Sequence, residues 1–143
     1  MPLPLIVAVP IASDLGRLAL ALRHEVFVLE QNVPEAIERD AHDATAVHVV
    51  AIADGDVVGT LRLQKLPEHT KFGRVAVRRE RRGQGIARAM MLHALHLARG
   101  AGETRFALTA QLDKVGLYEK LGFVAYGDEI EISGIRHRTM KTY

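Results

Sequence analysis

The sequence predicts an α/β (α+β) domain: a mixed, mostly antiparallel sheet of six to seven strands flanked by helices. Three observations carry this expectation. Strand-like apolar runs and helix-periodic segments follow the order β-α-β-β-β-α-β-α-β-β. Asp54-Gly55 sits as a hairpin turn between two of the strand-like runs. A glycine-bearing loop opens the longest helical segment and a further strand follows that helix, so one part of the sheet is expected to run parallel.

The elements follow in order. Residues 5–9 (LIVAV) read as a short strand; the opening MPLPLIVAVP lacks a basic region and has prolines at 2, 4 and 10, which favours a strand over a secretory leader. Ser13 or Asp14 caps a helix in which Leu15, Leu18, Ala19, Leu22, Val26 and Leu29 recur at helical spacing. Residues 30–44 are polar, acidic and interrupted by Pro34, and predict an irregular segment with one helical turn. Residues 47–53 and 57–66 form the hairpin strands, and a further strand ends in Val75-Ala76-Val77. A helix over about 85–100 closes at Gly100 or Gly102. Leu92 and Leu95 fall near its outer stripe of Arg88, His96 and Arg99, so the helix reads as apolar almost all round. That predicts a deeply covered helix or a contact in a homodimer. Residues 105–109 form a strand, 112–120 a short helix stopped by Gly122, and 123–132 and 135–142 the last two strands.

A chain of 143 residues fits one domain, 1–143. Its 48% hydrophobic and 25% charged content is that of a globular domain. It has no cysteine, which excludes disulfides, thiolate metal sites and a cysteine nucleophile. No apolar run approaches the ~20 residues that span a bilayer, so no membrane partner is expected and the cytoplasm is the expected location. The net charge of +2 favours an anionic small ligand over nucleic acid. The run Arg78-Arg79-Glu80-Arg81-Arg82 has no aromatic interleaving, and reads as a solvated loop that steers phosphate. Asp40, His42 and Asp43 resemble a metal set but lack further ligands at supporting spacing; a structural loop and no metal are expected.

The main chemistry lies in VAVRRERRGQGIARAM, where a strand ends, a basic loop follows and glycines precede a helix. The first N–H groups of a helix have no intrahelical partner and lie at the positive end of its dipole, where phosphates bind. Gly83 and Gly85 let the backbone approach such a ligand closely. No Gly-Lys-Ser/Thr follows, so this is not a Walker A loop. The third glycine or alanine of a dinucleotide fingerprint is also missing.

Arg82-x-x-Gly85-x-Ala87 resembles the Q/R-x-x-G-x-G/A motif of the GNAT superfamily of acetyl-CoA-dependent N-acyltransferases. Tyr118-Glu119-Lys120-Leu121-Gly122-Phe123 resembles that family's Y-x-K-x-G-F segment, and the element order matches along essentially the whole chain. LRHEVFVLEQ, ERDAHD, GRVAV and GIRH are similar to the ElaA-like subgroup, and the layout is similar to enzymes of the glyphosate N-acetyltransferase type. The resemblance implies splayed central strands. It implies that Val75, Ala76 and Val77 bind the pantetheine arm through backbone groups. It further implies that Arg82, Gly83, Gln84, Gly85, Ile86 and Ala87 hold the pyrophosphate, and that Tyr118 lies near the sulfur. Arg23, Arg74 and His137 match acceptor-site positions, whereas Gln111 stands where a third arginine would. Arg23 and Arg74 either contact an anionic group of the acceptor or pair with the acidic segment, for instance with Glu38 or Asp40. That departure weakens the case for a phosphonate or doubly charged acceptor.

Acyl transfer to an amine needs a neutral amine, a polarised carbonyl and a proton for the leaving thiolate. Tyr118 is the candidate acid. His137 is the candidate base, since an imidazole titrates near neutrality. Strand alternation puts Arg136 and Arg138 on one face and His137 on the other. Glu30, at the end of the first helix, is a rival base. The resulting expectation is an acetyl-CoA-dependent N-acetyltransferase acting directly on a small-molecule amine in a ternary complex. The alternatives are a non-catalytic CoA-binding or sensing module and a nucleic-acid binder using the arginine run.

Overall fold

The computed structural model describes residues 3–143. Seven strands form one sheet in the order β1-β2-β3-β4-β5-β7-β6. In chain order these are β1 Leu5–Val9, β2 Val47–Ala53, β3 Asp56–Lys65, β4 Thr70–Val77, β5 Phe106–Gln111, β6 Val124–Ile132 and β7 Ile135–Lys141. All neighbouring pairs are antiparallel except β4–β5. The helices are α1 Asp14–Arg23, α2 Glu35–Glu38, α3 Ile86–Gly100 and α4 Val115–Glu119. The sheet, its mixed sense and its flanking helices are those the sequence predicts.

The period of two decides which helix covers which face. Val49 and Ala51 of β2 belong to the core beneath α3, with Leu61, Phe72, Met90, Met91 and Phe106. Val50, one residue on, belongs to the opposite core beneath α1, with Ala19, Leu22 and Ala76. Strands covered on both faces need apolar residues at every position, which explains the nearly unbroken run VHVVAIA. β6 is the sheet edge and is mostly exposed.

Of the two candidate caps, Ser13 caps α1: its hydroxyl accepts from the Gly16 N–H at 3.1 Å. Three expectations about helices are corrected. Helix α1 does not run regularly to Leu29. After Arg23 it widens into π-helical turns over His24–Glu30, closed by Gln31 N–H to the Val26 carbonyl at 3.1 Å. The wider turn rotates the face, so Val26 stays buried while Leu29 is 67% exposed. In α3, Leu95 is buried at 2% exposure, and Leu92 and Leu97 face outward. The helix therefore covers the sheet with one face and is not buried all round. The acidic segment forms two short turns, α2 and a 3₁₀ turn at Ala41–Ala44, rather than one.

Candidate active site

β4 and β5 pair over only three residues, Thr70 to Phe106 through Phe72 to Leu108, and then diverge. The divergence leaves the β5-facing backbone groups beyond Phe72 without a strand partner and opens a cleft of about 760 Å³. Val75, Ala76 and Val77 line it. A bulge on β4 adds to the opening: Thr60 of β3 faces Ala76 and Arg62 faces Gly73, so β4 carries one residue more. Arg74 sits in that bulge with φ +52°. A left-handed arginine is costly. Its side chain holds it there, donating from Nε and Nη2 to the Glu38 carbonyl at 3.0 and 2.9 Å and from Nη2 to the Ile37 carbonyl at 3.1 Å.

At one end of the cleft lies the glycine loop. Gly83 and Gly85 have φ +79° and +81°, and Gly85 is the residue before α3. A Cβ at either would meet nothing within 4 Å, so the space above both is open. The first intrahelical bond is Ala89 N–H to the Gly85 carbonyl, which leaves the preceding N–H groups of the helix unpaired. Gly83, Gly85, Ile86 and Ala87 line the cleft, with Gln84 beside them in the loop and outside the lining. This cradle suits a diphosphate: open backbone donors at a helix N-terminus, with no side chain in the way.

The arginine run is neutralised by carboxylates. Arg78 meets Glu25 and Asp56, Arg81 meets Asp54, and Arg79 approaches Glu30. Arg82 forms a two-pronged pair with Glu30, Nη1 to Oε2 at 2.7 Å and Nη2 to Oε1 at 2.8 Å, while its Nε donates to the Val77 carbonyl. Those hydrogen bonds, with the charge of Arg82, hold the Glu30 carboxyl below its usual range. A carboxylate so held is a weak proton acceptor, which counts against Glu30 as the base.

Of the two expectations for Arg23, acceptor contact gives way to pairing with the acidic segment. Arg23 is 1% exposed and does not line the cleft. Its Nε donates to Glu38 at 2.6 Å, and Nη1 and Nη2 reach Asp43 at 2.8 and 3.1 Å. Helix α1 delivers it beneath the acidic segment, where two carboxylates and the Glu38 carbonyl engage the guanidinium. Arg62, which the sequence reading did not single out, completes this network by donating to both oxygens of Asp40 and to Asp43. Its one signal is a charged residue inside the apolar strand VVGTLRLQ. Burial by itself would raise Asp43, but the hydrogen bonds and charges of Arg23 and Arg62 prevail and hold it well below the usual carboxylate range. Asp40 is lowered chiefly by its hydrogen bond from Arg62. Asp40 and Asp43 are thus ion-pair partners of arginine, and the His42 N–H donates to the Asp40 carboxylate within the same turn.

Tyr118 lies on α4, 6% exposed, with its ring edge-on to Phe123. Burial pushes its phenol up to about 12, so it remains an O–H donor throughout the neutral range. His137 on β7 faces the cleft, while Arg136 and Arg138 are outside the lining, as alternation requires. Its Nδ1 lies 2.7 Å from the Ile135 carbonyl. A carbonyl only accepts, so Nδ1 carries the hydrogen and the Nε2 lone pair is left available. Gln111 is the cross-strand partner of His137. Its Nε2 donates to Gln31 Oε1 at 2.9 Å, tying β5 to the segment after α1. Gln31 ends the stretch LRHEVFVLEQ but is not among the candidate site residues; a neutral amide in a polar stretch gives no signal by itself.

A family profile for the acetyltransferase (GNAT) domain matches residues 11–143. The protein Rv2851c of Mycobacterium tuberculosis is 36% identical over 141 residues, covering 90% of this chain and 87% of its own. An acyl-CoA N-acyltransferase from Pseudomonas aeruginosa superposes with a TM-score of 0.85 at 30% identity, covering 98% of this chain and 99% of that one. Escherichia coli ElaA superposes with a TM-score of 0.86 at 25% identity and covers 98% of this chain and 99% of its own.

Proposed function

The chain belongs to the GNAT acetyltransferase family, and from that membership we propose that it is an acetyl-CoA-dependent N-acetyltransferase acting directly on a small-molecule amine in a ternary complex. One observation carries the reading. The diphosphate cradle of Gly83 to Ala87 and the cleft-facing His137 and Tyr118 lie along one cleft that the β4–β5 divergence opens.

Acetyl-CoA, when bound, supplies the acyl group as a thioester. The N–H groups of residues 83–87 hold the diphosphate, and the β5-facing backbone groups of the stretch Val75, Ala76 and Val77 orient the pantetheine arm. His137 takes a proton at Nε2 from the amine, its tautomer fixed by the Ile135 carbonyl. Tyr118 holds a proton at Oη for the leaving sulfur. Neither group forms a covalent bond to the acyl carbon, which is the sense of direct transfer. Arg82 steers phosphate to the loop while Glu30 fixes its position.

Calorimetric titration with CoA and acetyl-CoA is the first test, and no binding at concentrations up to about 1 mM removes the reading. Thiol release from acetyl-CoA with a panel of amines is the second. CoA binding without turnover across the panel favours a sensing module instead.

A further inference from the structure

From the pairing of the arginines beside the cleft and the apolar walls around Gln111 we infer that the acceptor is an amine on an uncharged, largely apolar body, positioned by the Gln31–Gln111 amide pair and not by arginine. This rests on the amine transfer proposed above.

Arg23, Arg62 and Arg74 are three cations, and Glu38, Asp40 and Asp43 are the three carboxylates they engage. The cluster sums to zero. Arg74 alone of these arginines reaches the cleft wall, and its Nε and Nη2 are engaged by the Ile37 and Glu38 carbonyls and the Asp40 carboxylate. Glu30 and Arg82 cancel in the same way at the other end. Beside these arginines an acceptor carboxylate or phosphonate would lose water without gaining an unpaired arginine charge, and the lysines of the lining, Lys71, Lys114 and Lys120, stand apart on β4 and at the two ends of α4.

The walls are apolar where the arginines stop. Phe27, Val33, Ile37, Ile132 and Ile135 line them. Ile37 and Ile132 are 52% and 42% exposed, so the mouth presents apolar surface that an apolar ligand would cover. Between these walls the Gln31–Gln111 hydrogen bond uses one donor and one acceptor. Whichever way the two amides are turned, one carbonyl lone pair set and further N–H donors remain available. The pair lies beside His137 through the β5–β7 register, where an amine nitrogen would be deprotonated. A neutral amide there orients an N–H without demanding an opposite charge.

The test uses matched amines with and without an α-carboxylate: 2-phenylethylamine against phenylalanine, and tryptamine against tryptophan. Thiol release from acetyl-CoA gives kcat/KM, and calorimetry on the CoA-loaded protein gives affinity. The carboxylate-free member is favoured at least about tenfold in both readouts. Gln111→Arg shifts that ratio toward the carboxylate-bearing member by about tenfold, with the CoA Kd held within about twofold as the check on folding. Gln111→Glu shifts it the other way. A wild-type preference for the carboxylate-bearing amines overturns the inference. So does a Gln111→Arg protein that binds CoA normally with an unmoved ratio. Preferential binding without thiol release supports this acceptor class and overturns the transfer reading. Failure of every amine to bind or react overturns both.

Discussion

Glu30 and Arg82 face each other across the entrance of the cleft, 52 residues apart in sequence, joined by two near-parallel hydrogen bonds of 2.7 and 2.8 Å. One residue ends the π-helical segment and the other opens the glycine loop. The pair therefore ties the acceptor-side segment to the phosphate cradle. It also places a negative charge beside the site proposed for a diphosphate. Glu30→Gln is expected to tighten CoA binding by about twofold to fivefold, the scale of an exposed charge pair. The same variant is expected to change kcat by less than about tenfold, because a true general base contributes about 10²–10⁴. Titration calorimetry and steady-state kinetics on one preparation check both numbers, and a collapse of kcat would make Glu30 the base.

His137→Ala is expected to lower kcat by about 10² or more while leaving CoA affinity within about twofold. The separation matters because a structural histidine would disturb both or neither. Its Nδ1 bond to the Ile135 carbonyl is replaceable by water, so the fold is expected to survive.

Tyr118 gives a pH signature. Burial raises its phenol to about 12. The folded value lies above the ordinary 10.0, so the associated stability is complete below pH 10.0 and is lost as pH rises through the folded value. The difference in phenolate absorbance between wild type and Tyr118→Phe should have its midpoint near 12 and not near 10. Thiol-release turnover of Tyr118→Phe is expected to fall about 10²-fold or more, the range for a positioned proton donor.

The arginine–carboxylate cluster is the expected stability hinge of the acidic segment. Arg23→Met leaves Glu38, itself 2% exposed, without its nearest cation. Removal of one partner of a buried pair costs about 3–5 kcal/mol. For a domain of this size that is a fall in Tm on the order of 10 °C. Arg136→Ala breaks the exposed pair with Glu129 and should cost less than about 1 kcal/mol. Thermal denaturation of the two variants side by side tests the contrast.

Asp40 and Asp43 make the same cluster sensitive to acid. Their folded values lie below the ordinary 3.8. The stability they add is complete above pH 3.8 and lost as pH falls through the folded values. Tm should be flat from neutrality to about pH 5 and decline below about pH 4. The decline should be shallower in Asp43→Asn, which has already lost one of the titrating carboxylates.

Local patterns in the sequence determined the elements. The nearly unbroken apolar run VHVVAIA encodes a strand buried on both faces, Asp54-Gly55 encodes the turn, and the glycines before Ile86 encode an open helix N-terminus. These are properties of a few consecutive residues, set by backbone sterics and by which faces must be dry, and they are readable without knowing the rest of the chain. The cleft strand, the loop and the cleft-facing side of β7 follow from them. Tertiary structure alone decided the partners of the charges. Nothing local distinguishes Arg23, held beneath the acidic segment, from Arg82, held at the cleft entrance, or tells Glu30 from Glu38. Their neighbours come from 15 to 52 residues away and are fixed only when the helix and sheet pack. The π-helical turns after Arg23 belong to the same class, because a single widened turn reassigns every side chain that follows it.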